Sequence, residues 1–356
     1  MFKGFLANLA LPITLSAIAL TSLGILITFS VSPSLALEQS IFALIGIMIF
    51  FFVASFDYRV LANFAFHLFV FSTILLLFLF FFGLETRGAV RWFDFGVFRF
   101  QPSELIKPLL IVILSVFLSK KNIQKFYNFS LSFLISGLLA FLVFKQPDLG
   151  NAIVFLVIWL GMVIASGIHI TYLISILAAG LLTIPFTWSL LVSYQRERFL
   201  NFLNPSSDPL GTGYNIVQAT IAIGSGGFWG KGFGHGTQSH LQFLPAQTTD
   251  FIFATFAEEL GFLGVAILLF TFIFLIYQCL RAAQKTSDLQ GSLIILGVVT
   301  LILFQTTVNV AMNLGLIPVV GITLPLVSEG GSSLISTFFS LGLVVSVLRF
   351  SPKALT

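Results

Sequence analysis

Long runs of apolar residues without any charged side chain constrain this chain more than any other feature. Residues 4–37, 149–195 and 289–328 contain no Asp, Glu, Lys or Arg. Inside the hydrocarbon of a membrane, every backbone N–H and C=O group must be satisfied within a helix or a closed barrel. The runs are continuously apolar rather than alternating, and each exceeds the roughly 20 residues that one helical span needs. The sequence therefore predicts an all-α, polytopic integral membrane protein.

Ten transmembrane helices are predicted, in a chain whose residues are 58% hydrophobic and only 8% charged. A soluble globular domain carries about 25% charged residues. The predicted helices cover residues 11–31, 40–57, 65–83, 103–119, 129–145, 151–167, 171–194, 251–280, 290–317 and 331–349. No linker, repeat or soluble domain separates them, so residues 1–356 are expected to form a single membrane domain.

The positions of Lys and Arg predict the orientation of these helices. Those of one side lie at the termini and in short loops: Lys3, Arg59, Lys120, Lys121, Lys125, Arg281, Lys285, Arg349 and Lys353. Such an excess in short loops marks the cytoplasmic side. Both termini are therefore expected to be cytoplasmic, with residues 195–250 as a long extracytoplasmic loop between helices 7 and 8. Because the basic residues lie at helix ends, the net charge of +4 indicates contact with membrane lipids and not with nucleic acid.

Charged residues of both signs gather on the predicted outer side, in residues 84–102 and 195–250. Ionisable groups near a bilayer cost free energy and usually serve a function. An anionic substrate, a metal-assisted step or acid-base chemistry would need such a set, whereas a solvated loop surface is the structural alternative. The single cysteine, Cys279, excludes a disulfide framework and a cysteine cluster for zinc.

The first outer loop and the helix after it supply four candidate residues. Arg91 and Trp92 precede the predicted fourth helix, and Glu104 and Lys107 lie in its first turns. At a spacing of three residues, Glu104 and Lys107 share a helix face and can pair. An intramembrane pair of this kind tends to line a polar cavity. The structural alternatives are an interfacial anchor for Trp92 and a helix cap for Glu104 with Ser103.

The second outer loop supplies cations and acids. The guanidinium of Arg196 suits pyrophosphate oxygens, and Arg198 is equally well explained as an ordinary interfacial arginine. Lys231 lies in a glycine-rich stretch that lacks a Walker spacing, so a nucleotide loop is excluded. Asp250 opens the predicted eighth helix as either a helix cap or a general base, and Glu258 follows about two turns later.

The last outer segment supplies small polar residues. Asn313 shares a helix face with Asn309, and Ser332 and Ser333 open the tenth helix after two glycines. These side chains could pack helices together or line a discontinuous cavity.

Several segments resemble the SEDS family of membrane proteins, which polymerise peptidoglycan. They are FQPSE at 100–104, KQPDLG at 145–150, DPLGTGYN at 208–215, AIGSGG at 222–227, GKG at 230–232, HGTQ at 235–238, FLP at 243–245, TDFIFA at 249–254 and AEELG at 257–261. The stretch HGTQSHLQFLP resembles the RodA branch more than the FtsW branch. The segments occur in the family's order and spacing, and the resemblance extends to the final outer loop.

The resemblance implies a glycosyltransferase of the bacterial cytoplasmic membrane that joins lipid II units into glycan strands for cell-wall elongation and cell shape. It makes Asp250 the catalytic aspartate and a class B penicillin-binding protein a partner, and a divalent cation, Mg²⁺ or Mn²⁺, could help to stabilise the leaving pyrophosphate. No residue is assigned to a metal. The candidate substrate-binding residues are Arg91, Trp92, Glu104, Lys107, Arg196, Lys231, Gln238, Glu258, Asn313, Ser332 and Ser333.

Three positions depart from the family pattern. Ala246 and Thr248 stand where relatives commonly have Glu and His, and Glu329 stands where they usually have Tyr. Two other function classes stay open: a lipid II flippase that uses the same cavity, and a scaffold that only positions the penicillin-binding protein, which the missing Glu and His make less remote.

Overall fold

The computed structural model describes residues 10–86, 89–96, 99–203, 212–241 and 243–351. Its long helices are α1 (Ala10–Val31), α2 (Pro33–Ser55), α4 (Ala65–Phe82), α5 (Pro102–Lys120), α6 (Phe126–Lys145), α7 (Leu149–Ala165), α8 (Ile170–Leu190), α12 (Ile252–Gln284), α13 (Leu289–Asn313) and α14 (Gly331–Phe350). The shorter helices are α3 (Tyr58–Asn63), α9 (Ser193–Leu203), α10 (Thr212–Gly226) and α11 (Thr237–His240).

Each predicted transmembrane helix has a counterpart among the long helices, which confirms the all-α class. Within the described residues, eight of them are long and apolar enough to cross a membrane, and α7 and Ile170–Gly180 of α8 are shorter apolar helices. The largest boundary difference is at α2, which begins at Pro33 and not at residue 40. Proline suits the first turn of a helix because its missing N–H has no intrahelical partner there.

The first outer loop contains a small antiparallel sheet, which is not predicted from the sequence. Its strands are β1 (Leu84–Thr86), β2 (Ala89–Asp94) and β3 (Arg99–Phe100), in the order β1-β2-β3. Phe93 pairs with Phe100 across β2 and β3. This sheet holds Arg91 and Trp92 above the start of α5.

The loops divide between the two ends of the helix bundle as the orientation rule predicts. At one end, the Tyr58 hydroxyl of α3 donates to the Asp288 carboxylate at the start of α13. At the other end, the Gln101 N–H before α5 donates to Ser332 Oγ of α14 at 3.0 Å. The assignment of the first end to the cytoplasm stays a prediction.

In its described residues, the loop predicted at 195–250 contains most of α9 together with α10 and α11, and its glycine-rich part packs closely against α12. Helix α12 is kinked at Gly261, whose φ of 64° suits glycine. The chain at 227–232 supplies hydrogen bonds around the kink, because Phe262 N–H donates to Gly227 O at 2.9 Å and Gly232 N–H donates to Glu259 O at 3.0 Å. A Cβ at Gly230 would lie 2.1 Å from Glu259 O, so only glycine permits this approach.

Candidate functional site

Asp250 lies in the turn just before α12, at the outer end of the bundle. The N-cap position of α12 is Phe251, so the helix-cap interpretation of Asp250 is wrong. Its main-chain oxygen accepts hydrogen bonds from Asn309 Nδ2 at 3.1 Å and from Asn313 Nδ2 at 3.0 Å. The two asparagines share one face of α13, as their i, i+4 spacing predicts. They hold the turn by its backbone and leave the Asp250 carboxylate for other contacts.

Two arginines and a second acid determine the electrostatics of Asp250. Burial raises the pKa of the Asp250 carboxyl, and this effect outweighs the opposing influence of Arg198 and Arg91, while Asp148 raises the pKa further. Gly321 lies between the carboxylate and one guanidinium, since a Cβ there would be 3.7 Å from Asp250 Oδ2 and 3.9 Å from Arg198 Nη1. The site therefore combines a proton acceptor, the Asp250 carboxylate, with two cations, Arg198 and Arg91.

Both arginines are oriented by main-chain carbonyls of neighbouring loops. Arg198 Nη1 donates to Val319 O at 3.2 Å, and Arg91 Nη2 donates to Pro147 O. Arg198 comes from α9 and Arg91 from β2. The site is therefore assembled from loops that are far apart in sequence.

Asp148 forms hydrogen bonds that connect the start of α7 to the start of α5. It is the N-cap of α7, where it accepts a hydrogen bond from Asn151 N–H at 3.2 Å. An acid suits this position because it satisfies a free N–H group of the first turn and lies at the positive end of the helix dipole. Its other oxygen accepts from Gln101 Nε2 at 3.0 Å and from Asn151 Nδ2 at 2.8 Å. Asp148 is thus committed to its neighbours and acts on Asp250 only through its charge.

The predicted residues Ser332, Ser333 and Trp92 lie near the loops that surround Asp250. Ser332 Oγ accepts a hydrogen bond from the Gln101 N–H, and Ser333 Oγ lies 2.9 Å from Thr323 Oγ1. Trp92 is half-buried in β2. Their roles toward a substrate stay predictions.

Lys231, Gln238 and Glu258 form a separate cluster on the side of α12. Glu258 is fully buried and accepts hydrogen bonds from Lys231 Nζ at 2.8 Å and from Gln238 N–H at 2.9 Å. The adjacent Glu259 is also fully buried and accepts from Ser30 Oγ at 2.7 Å, with His240 Nε2 at 3.0 Å. Both carboxylates therefore bind the glycine-rich loop to α12 and α1.

Arg196 is in α9, and its side chain contacts the end of α8. Its guanidinium donates to Trp188 O at 3.1 Å and to Ser189 O at 2.7 Å. Arg91, Arg196 and Lys231 are all candidate substrate-binding residues, and the structure gives these three cations different partners. Arg198 is the second arginine beside Asp250. Residues two apart on a helix differ by about 200° in direction, so only one of Arg196 and Arg198 faces the carboxylate.

Glu104 and Lys107 are paired inside the bundle, as their spacing predicts. Lys107 Nζ donates to Glu104 Oε1 at 2.7 Å, and the residues are 0% and 5% exposed. Ser336 Oγ of α14 donates to Glu104 O at 2.6 Å. Because both charged groups are covered by protein, the pair presents no open charge to an outer ligand.

Among the residues that the structure describes, no group of three or more His, Cys, Asp and Glu side chains could hold a metal ion. The expected divalent cation stays a prediction.

Comparisons with known proteins agree with this architecture. The chain is 40% identical over 306 residues to the peptidoglycan glycosyltransferase MrdB of Escherichia coli K12, covering 85% of this chain and 82% of that protein. It is 36% identical to the stage V sporulation protein E of Bacillus subtilis, covering 89% and 87%. Among solved structures, a chain of a peptidoglycan synthase complex that coordinates polymerization and crosslinking has a TM-score of 0.82 at 35% identity, covering 95% and 96%.

A further solved structure with the same fold is the rod shape determining protein RodA of Thermus thermophilus, with a TM-score of 0.72 at 30% identity and 95% of each chain covered. The family described as cell cycle protein, which takes in FtsW, RodA and SpoVE, matches residues 3–353. That match spans nearly the whole chain and all the segments that surround Asp250, so the chain belongs to the FtsW, RodA and SpoVE family.

Proposed function

We propose that this chain is a peptidoglycan glycosyltransferase, which joins lipid II disaccharides into glycan strands on the outer face of the cytoplasmic membrane and releases undecaprenyl pyrophosphate. The observation that carries the proposal is the group of Asp250, Arg198 and Arg91 at the outer end of the bundle. Relatives that share this fold carry the same activity in their names.

Asp250 acts as the general base. The 4-hydroxyl of one sugar attacks C1 of the lipid-linked sugar, the C1–O bond to the pyrophosphate breaks with inversion, and the hydroxyl proton passes to the Asp250 carboxylate. A base works best when its pKa approaches the working pH. Burial of Asp250 raises its pKa in that direction, while Arg198 and Arg91 favour the ionised form that accepts the proton.

Arg91 and Arg198 stabilise the leaving pyrophosphate. Charge develops on the departing phosphate oxygens, and preoriented guanidinium groups near that position lower the barrier. The carbonyls of Pro147 and Val319 hold the two arginines before substrate arrives, so little reorganisation accompanies the reaction. A divalent cation bound with the substrate would add positive charge for the leaving pyrophosphate.

The partner we propose is a class B penicillin-binding protein, which crosslinks the strands that this chain polymerises. One similar structure belongs to a synthase complex that coordinates polymerization and crosslinking, and it covers 95% of this chain. We propose a role in elongation and cell shape, because the similar RodA is a rod shape determining protein. Co-purification at native expression in mild detergent tests the partner, and a partner-free protein would contradict it.

The test of the activity is polymerisation by purified wild type and the D250N variant, with lipid II supplied in detergent. A flippase needs a membrane barrier and forms no glycan under these conditions. A scaffold forms none with either protein. Polymer from wild type, reduced about 10²–10⁴-fold in D250N, is the expected result for loss of a general base.

A further inference from the structure

Glu329 lies in the turn before α14 and is hydrogen bonded to the turn that carries Asp250. Its N–H donates to Thr248 O at 2.9 Å, and Thr248 Oγ1 donates to Glu329 Oε2 at 3.1 Å. Ser328, which precedes Glu329, donates a hydrogen bond from its Oγ to Thr249 O at 2.7 Å. The carboxyl group of Glu329 is therefore held against Thr248, which lies two residues before Asp250 in the chain.

One oxygen of this carboxyl group is open. Glu329 is half-buried, and Oε1 receives no hydrogen bond from the residues that the structure describes. No Lys or Arg of the described chain forms an ion pair with it, and the charged group that acts on it is another acid, Glu38. A partly desolvated carboxyl group without a cation costs free energy. Its presence is not explained by stability.

The usual structural roles of an acid at this position are absent. The N-cap of α14 is Gly330, which has no side-chain cap bond. The single side-chain bond of Glu329, to Thr248, uses one oxygen of two.

We propose that Glu329 contacts the glycan substrate, with Oε1 accepting a hydrogen bond from a hydroxyl or amide N–H group of a sugar. This inference rests on the proposed glycosyltransferase activity and adds a specificity residue to that site. Sugars present many such donors, and a fixed carboxylate oxygen is a strong acceptor for them.

The test compares E329Q with T248V in the lipid II polymerisation assay. In E329Q, Thr248 still donates to the amide oxygen, so the NH₂ group takes the place of Oε1 and the acceptor becomes a donor. We expect the KM for lipid II to rise about tenfold or more, as for loss of a charge-assisted hydrogen bond, with kcat within about twofold. T248V removes the bond to the turn and keeps the carboxylate, so we expect it to change KM less than E329Q does.

The outcomes separate this inference from the proposed function. Wild-type polymerisation with an unchanged KM in E329Q would overturn the substrate contact alone. An equal rise of KM in both variants, with equally lowered thermal stability, would also overturn it and make Glu329 a structural link between two turns. Failure of the wild type to polymerise would overturn the proposed function and this inference together.

Discussion

Replacing Lys107 by Met should destabilise the bundle strongly, because it leaves a buried carboxylate without its partner. At the 2.7 Å between Lys107 Nζ and Glu104 Oε1, two charges attract by about 6 kcal/mol at an effective dielectric constant of 20. Desolvation of the two ions offsets most of that attraction, so the intact pair contributes little net stability. Loss of one partner from such a buried pair typically costs about 3–5 kcal/mol.

The assay is unfolding by SDS in mixed micelles, with two matched controls. K121M replaces an exposed lysine at the C-cap of α5, the helix that also carries Lys107. This change should alter the free energy of unfolding by less than about 0.5 kcal/mol. The double variant E104Q/K107M removes both charges and should recover most of the loss. A K107M protein within about 1 kcal/mol of wild type would refute the reasoning, because it would mean that Glu104 is hydrated or neutral without Lys107.

Three further predictions concern the base, the glycine-rich loop and the topology. R198Q should move the acid limb of the pH profile of kcat/KM to higher pH, because Arg198 lowers the pKa of Asp250 and the base must be ionised to act; an unmoved limb would contradict this electrostatic coupling. G230A should lower the thermal unfolding temperature, since its Cβ would meet Glu259 O at 2.1 Å, whereas G224A meets nothing within 4 Å and should be tolerated; equal stability of the two variants would speak against the close packing. Cysteine introduced at Ser206, which lies outside the described residues, should label from outside intact cells, and labelling only after permeabilisation would reverse the predicted orientation.

The helices were predictable because membrane hydrocarbon imposes a simple rule on length and polarity. The structure places them close to the predicted ranges, and Pro33 accounts for the largest boundary difference, at the start of α2. The pairing of Glu104 with Lys107 and the shared face of Asn309 and Asn313 followed from helical spacing alone. These features depend only on residues near each other in sequence.

The partners across loops were not predictable in the same way. Arg196 and Arg198 are equivalent by composition and position, and only the rotation of α9 decides that Arg198 meets Asp250. Lys231 and Glu258 looked like site residues because buried charges near a bilayer often are, yet they satisfy each other. The bond from Thr248 to Glu329 joins residues 81 apart and required the folded chain. Long-range contacts carry no local signal in a single sequence.

The most direct measurement of the central claim is lipid II polymerisation by purified D250N, followed together with its thermal stability. Asn is nearly isosteric, and the backbone bonds from Asn309 and Asn313 do not involve the side chain of residue 250. Because the pKa of Asp250 is raised in the fold, its stabilising contribution is present below the pKa of the unfolded chain and is lost as the pH rises through the folded pKa. At neutral pH the variant should therefore be as stable as wild type or more so. We predict that glycan synthesis falls by about 10²–10⁴-fold in this well-folded protein; synthesis within a few-fold of wild type would contradict the assignment of Asp250 as the general base.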